Sequence, residues 1–383
     1  MTSFPPELFG AIVQEVRSPS DLLRLRAVSS TLNALATPLA FHSVRFLNTD
    51  SSIERFKRLT TYPKFLPLIR KVIYQYAEAD SSEPLREYSL RGFNGAAFVE
   101  ALSLVSRLPA LESLVLSIRS QDGPFKADTI ATSRDSDFPA EIVLQFLIFR
   151  ALAEAPGFSS PLKSLIIDRF VPLPHPFLTA PTITALLSTL THLTLGTTTH
   201  CAAFPMTNPR LQWTSSSLFQ KNVLSSSLVS LHLHHACVRS AEMLIPASKI
   251  HLPRLECLSL QRIYFSDQAD VEGFIVRHGG TLIELKLFLC PMALSTQSIP
   301  SPTRPTQFRR WAQVWEHFAL DLKVLKILVV SEKYDSHGVE DTRLGRYVDN
   351  CYICKAVDLG GAVKEQDDTA FEHLLRIVES RSP

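Results

Sequence analysis

Glycine, cysteine and charge are all in short supply in this chain, and each shortage excludes something. Only 13 of the 383 residues are glycine, which leaves little for phosphate-cradling loops. No G-x-G-x-x-G, P-loop, H-E-x-x-H or G-x-S-x-G pattern occurs. The six cysteines (Cys201, Cys237, Cys257, Cys290, Cys351, Cys354) are too sparse for a disulfide framework and read as free thiols of a reducing compartment. Charged residues make up 20%, with 39 basic and 37 acidic side chains scattered along the chain. Without a basic block, neither nucleic acid nor an anionic membrane is an expected partner. No apolar run approaches the length of about eighteen residues that a spanning helix needs. The richest, 142–152, is interrupted by Gln145 and Arg150. The amino terminus has neither the basic flank nor the apolar core of a secretory signal, and Asn-x-Ser/Thr is absent. A cytoplasmic or nuclear protein is the expectation.

What the chain does have is leucine at a repeating spacing. With 45% hydrophobic residues it is an ordinary packed sequence, and the motif L-x-x-L-x-L recurs along it. Strict copies start at Leu111, Leu162, Leu190, Leu228, Leu255, Leu282 and Leu322, with looser ones at Phe41 and Ile69. The closing L-x-L alternates as a strand does, sending both leucines to one side. Helical stretches are expected before most copies, over 93–108, 140–155, 183–190, 218–228, 271–278 and 308–320. The second of these would face inward through Ile142, Phe146, Phe149 and Leu152. A strand-plus-helix unit leaves apolar edges open, so successive units must stack, strands on one side and helices on the other. The unit resembles the leucine-rich repeat. That likeness implies a curved solenoid with strands on the concave side. It also gives Cys290, at the ninth position of the Leu282 copy, the task of satisfying backbone groups at the turn; Ile263 and Ala236 stand at the same place in other copies.

Polar, proline-containing stretches at 117–139, 196–212 and 295–306 read as loops or insertions. After residue 330 the pattern changes to a charged stretch, an alternating segment over 346–357 and an amphipathic helix over 367–380, expected to cap the stack.

The first forty residues stand apart. They carry Leu8, Ile12, Val13 and Val16, a break at Ser18-Pro19, then Leu22, Leu23, Leu25, Val28, Leu32 and Leu35. Two or three short helices of this kind hold more apolar surface than so small a unit can bury. Phe4-Pro5-Pro6-Glu7-Leu8 with Ile12, followed by Ser20-Asp21-Leu22-Leu23, Leu25 and Val28-Ser29, resembles the F-box. Phe4 replaces the usual Leu, Ser30 the common basic residue, and Leu32 stands where many members have Trp. The whole chain is similar to F-box proteins with irregular leucine-rich repeats, of the kind expanded in mushroom-type fungi.

The resemblance implies an α/β architecture: an N-terminal three-helix F-box (1–45), a leucine-rich-repeat solenoid (46–330) and a C-terminal α/β cap (331–383). It implies docking of Phe4, Pro5, Leu8, Ile12, Leu22, Leu25 and Val28 onto a Skp-family adaptor, and through it onto a cullin–RING ubiquitin ligase. The repeats would then hold a protein substrate, making the chain a non-catalytic substrate receptor. The alternative is a non-ligase interaction scaffold in which the same helices merely cap the first repeat.

On the strands, the residues beside the inner leucines face away from the helices. Asp168, His192, His232, His234, Gln261, Lys286 and Phe288 therefore form the expected substrate face. His232 and His234 share a face at i, i+2, but no carboxylate nearby in sequence completes a zinc set with His235 and Cys237. The thiols of Cys351-x-x-Cys354 would point to opposite faces of a strand, with no second pair. Neither metal nor cofactor is expected.

Overall fold

A computed structural model describes residues 6–76, 94–118, 140–170, 176–197, 227–235, 250–266, 269–294, 309–331, 346–349 and 356–381. Phe4, Pro5, Cys351, Cys354 and most of the three expected insertions and of the 218–228 helix lie outside them. Within them the chain is an α/β protein built on a parallel sheet.

Three helices come first: α1 (Pro6–Glu15), α2 (Pro19–Leu25) and α3 (Ser30–His42). The Ser18-Pro19 break works as a helix start, with the Ser18 hydroxyl accepting from the Asp21 amide at 3.4 Å and Pro19 in the first turn. Ser29 repeats the device on Leu32, at 3.2 Å. Val13, Leu22, Leu32 and Ala36 form a small core of their own. Rings fasten the unit to the segment that leads into the sheet: Phe41 stacks on Phe65 at 4.2 Å, with the Arg26 guanidinium 4.8 Å over Phe41.

Nine strands then line up in chain order, each parallel to the one before. They are β1 (Ser43–Leu47), β2 (Lys71–Gln75), β3 (Ser113–Ser117), β4 (Ser164–Phe170), β5 (His192–Thr197), β6 (Ser230–His235), β7 (Cys257–Gln261), β8 (Glu284–Phe288) and, after the short β9 (Met292–Leu294), β10 (Ile327–Ser331). β1 starts at Ser43, so residues 43–45 belong to the sheet rather than to the N-terminal unit.

The strand leucines stack in lanes. Leu114, Leu165, Leu193, Leu231, Leu258 and Leu285 are paired neighbours, and all are buried. Helices cover that face: α4 (Asp50–Thr60), α5 (Gly95–Ser103), α6 (Ala140–Glu154), α7 (Pro181–Ser188), α8 (Val271–Arg277) and α9 (Trp311–Asp321). Several strands begin with the same hydrogen-bond device, in which one carbonyl accepts from two successive amides of the next unit. Glu112 O takes Lys163 N and Ser164 N at 2.9 and 3.0 Å, and Ile283 O takes Lys326 N and Ile327 N at 2.9 and 3.1 Å. Three strands turn outward through a non-glycine residue at positive φ, Arg169 (61°), Arg262 (56°) and Leu289 (51°). Such a conformation persists only where the surrounding structure fixes it. Cys290 Sγ sits at one such turn and donates to Leu260 O (3.3 Å) and Phe288 O (3.4 Å), the backbone task expected of it. Burial pushes its thiol up to about 12.

The structure corrects two expectations of phase. In β10 the inward pair is Leu328 and Val330, with Leu325 in the place Leu282 holds for β8. The last copy therefore starts at Leu325, not Leu322, and Ile327 is exposed. In α6, Phe146 is exposed and packs edge-on against Phe177, while Leu144, Ile148, Ala151 and Leu152 turn inward. That helix carries apolar residues on both faces, with Phe146 beside the exposed Arg150–Glu154 pair, so apolar spacing alone did not choose its buried face.

The C-terminal part closes the last unit. β11 (Tyr347–Asp349) pairs with β9, and the long helix α10 (Gly361–Glu379) starts six residues before the expected 367. Asp367, fully buried, accepts from the Ala312 amide at 2.8 Å and the Tyr347 hydroxyl at 2.7 Å; that hydroxyl in turn accepts from Trp311 N at 3.0 Å. Side chains from two later elements thus cap the open amides at the start of α9. Burial, with Asp367 beside it, raises the Tyr347 hydroxyl above its ordinary value.

Candidate functional site

Two surfaces depart from ordinary packing, one on the N-terminal helices and one on the sheet face that no described helix covers. Phe9 and Val13 of α1, and Val16 just past its end, turn toward the small core, which leaves Leu8 and Ile12, four residues apart, on the other side. Leu8 is 47% exposed, Ile12 52% and Val28 68%. Leu25 is half-buried against the unit's core. Leu22 corrects the expectation: at 5% exposure it belongs to the core, and its neighbour Leu23 is the exposed one. Packing of α2 against Leu32 and Ala36 of α3 decides which of the two adjacent leucines points inward. A large apolar side chain is worth about 1.5–3 kcal/mol when fully buried. Each half-exposed one therefore holds about 1 kcal/mol in reserve for a partner.

The open face of the sheet carries all seven residues expected there, sorted by register into rows. Thr194, His232, Ser259 and Lys286 run across β5–β8 in one row. Ser117, Asp168, Gly196, His234, Gln261 and Phe288 follow the carboxyl ends in another. His192 lies in the row of Ser164, Ser230, Cys257 and Glu284 at the amino ends. Lys286 donates to Glu284 at 2.7 Å, which holds that carboxyl below its usual value. Burial, and secondarily Lys286, lowers His232. Burial also lowers His234, with Asp168 partly opposing it. Both imidazoles are therefore neutral at neutral pH, and each offers one hydrogen-bond donor and one acceptor.

One notch in this face was not among the expected features. Asp168 Oδ1 and His234 Nε2 approach to 3.9 Å across Gly196, and Ser117 Oγ lies 3.5 Å from Asp168 Oδ2. A Cβ on Gly196 would lie 2.2 Å from the His234 ring and 2.9 Å from Asp168. The glycine is what lets side chains from strands on either side of it meet. An isolated glycine inside a strand pattern marks a close approach of this kind, so the signal was present in the sequence.

The hydroxyl here faces the carboxylate rather than an imidazole, so the notch lacks the nucleophile–base contact of a catalytic site. Among the described residues, no group of three His, Cys, Asp or Glu side chains is arranged to hold a metal. No described helix is long and apolar enough to cross a membrane. A cavity of about 190 Å³ lies between β8, β10, α9 and α10, lined by Leu287, Cys290, Trp311, Trp315, Arg346 and Phe371 among others. Sites for drug-sized ligands run to roughly 300–1,000 Å³, so this one is a packing gap at the joint with α10. What the open face can do chemically is recognise a surface by hydrogen bonds and contact. No protein-family model matches the chain, and no curated protein matches it.

Proposed function

We propose that this chain is a substrate receptor of an SCF-type cullin–RING ubiquitin ligase. In this reading its N-terminal helices are an F-box that docks on a Skp-family adaptor. The chain-ordered parallel strands are a leucine-rich-repeat solenoid whose open face holds a protein substrate, and the elements after β10 are its cap. Ubiquitin transfer belongs to the RING partner and its conjugating enzyme.

The observation that carries the reading is the exposure of Leu8, Ile12 and Val28 on a unit that already has its own core. Apolar anchors at i and i+4 on a short helix suit docking into a groove on another protein. The polar open face supports the second half, since it offers recognition groups without a reactive pair.

Co-purification with a recombinant Skp-family adaptor tests it. The wild-type chain is expected to form a one-to-one complex, and Leu8→Asp or Ile12→Asp is expected to abolish it with the far-UV spectrum unchanged. Leu22→Asp is the wrong probe, because it would place a charge inside the small core. A wild-type chain that leaves the adaptor in the flow-through removes the ligase reading and leaves the interaction scaffold.

A further inference from the structure

The first four strands carry a second subsite on the open face. Arg45, Ile73, Val115 and Ile166 are register partners across β1, β2, β3 and β4. Adjacent strands lie about 4.8 Å apart, so the row is roughly 14 Å wide. The three aliphatic side chains are partly exposed, while the residues on either side of each, such as Val72 and Tyr74 or Leu114 and Leu116, are fully buried. They are therefore the outward half of the alternation. Three adjacent branched side chains on a face without described helices make a patch rather than scattered singles.

Two cations border the patch. Arg45 is exposed at its β1 end, and Lys71 lies two residues before Ile73 on the same side of β2. Among the described residues, neither has a side-chain hydrogen bond or ion pair. Other charges along the strands have described ionic partners. Lys286 is bonded to Glu284, and Glu112 is held between Arg70 (3.0 Å) and Lys163 (3.5 Å). Asp168, two residues after Ile166 on β4, faces a hydroxyl and a neutral imidazole at the corner of the patch away from Arg45 and Lys71. The positive charge of the first strands thus sits directly beside the aliphatic row.

We infer that this subsite takes an extended protein segment that alternates acidic and branched aliphatic side chains. The aliphatic groups settle on Ile73, Val115 and Ile166 while the carboxylates face Arg45 and Lys71. A row about 14 Å wide spans about four residues of extended chain at roughly 3.3 Å each, which suits a short linear motif. The inference rests on the open face being the substrate surface, but not on adaptor docking.

The test is fluorescence anisotropy of the full chain with three labelled synthetic peptides, alternating Asp-Ile, Lys-Ile and Asp-Ser, with a labelled oligothymidylate as a fourth probe. The Asp-Ile peptide is expected to bind, and more weakly as salt rises. Arg45→Glu with Lys71→Glu is expected to weaken it roughly tenfold. Ile73→Ser with Ile166→Ser is expected to weaken it without steepening the salt dependence. These positions are exposed or partly exposed, and Arg45→Gln with Lys71→Gln serves as the milder pair should the reversals disturb folding. Lys-Ile or Asp-Ser binding as tightly as Asp-Ile, oligothymidylate binding more tightly, or an unchanged affinity in the charge variants would each overturn the inference. Adaptor co-purification is unaffected by any of these outcomes, and Leu8→Asp is expected to leave peptide binding intact, so the two readings fail separately.

Discussion

The N-terminal helices and the sheet treat the same kind of side chain in opposite ways. Among the described residues, ten large hydrophobic side chains are exposed, and five of them (Leu8, Ile12, Leu23, Val28, Leu39) fall within the first 42 residues. The sheet and its helices bury leucine after leucine to completion over a far longer stretch. The difference is geometric. A strand-plus-helix unit gains a neighbour on each side and can turn every strand leucine toward a shared helical layer. Three short helices enclose one small core and have nowhere to put a second apolar face. Apolar surface in the first region is thus available for binding, and in the second it supplies stability.

That contrast can be broken by substitution. The largest effect is expected from Leu285→Ala in β8, where a fully buried leucine loses its packing: about 2–5 kcal/mol, read as a lower urea midpoint. A loss below about 1 kcal/mol would mean that the leucine lanes are not the main source of stability. Next is acid. Burial pushes His235 down to about 4, with Thr197 beside its Nδ1 at 3.1 Å. Its folded value lies below its unfolded one near 6.5, so the unfolded chain takes up the proton first. The stability this represents is complete above about pH 6.5 and is lost as pH falls toward 4, on the order of 3 kcal/mol in all. His232, His234 and His278 are lowered too and act in the same direction. Urea midpoints at pH 7 and pH 5 are expected to converge in His235→Gln relative to wild type; an equal pH slope in both would refute the assignment.

Smaller effects separate the two regions. Val13→Ala opens the small helical core, with about 2 kcal/mol lost locally. Amide exchange is expected to quicken in α1–α3 while the protection of β5–β8 stays unchanged, and a matching loss in the sheet would show that the two regions unfold as one. The smallest effect is on stability from Leu8→Ser with Ile12→Ser, within about 0.5 kcal/mol of wild type. A large destabilisation there would make those side chains structural and erase the contrast.

Much of this was legible beforehand because strand alternation is local. L-x-L sends Leu231 and Leu233 one way and His232 and His234 the other whatever the rest of the chain does, so the residues expected on the open face stand where the spacing placed them. Phase was not legible wherever apolar residues were too many. Leu322, Leu325 and Leu328 are spaced to serve either frame of the last repeat, and α6 has apolar residues on both of its faces. Leu22 and Leu23 are adjacent, and only the packing of α2 against α3 decided between them.

The sequence by itself determined the repeating unit, the side of the sheet on which the residues of β3 to β8 stand, the break at Ser18-Pro19 and the excess of apolar surface in the first forty residues. Each of these depends on neighbours a few residues away. Tertiary structure alone decided that Asp168 and His234 meet across Gly196, that Asp367 caps a helix more than fifty residues earlier, and that Arg45 and Lys71 stand beside Ile73, Val115 and Ile166. Those relations join strands and helices distant in the chain, and they depend on register, which is fixed only when the units stack.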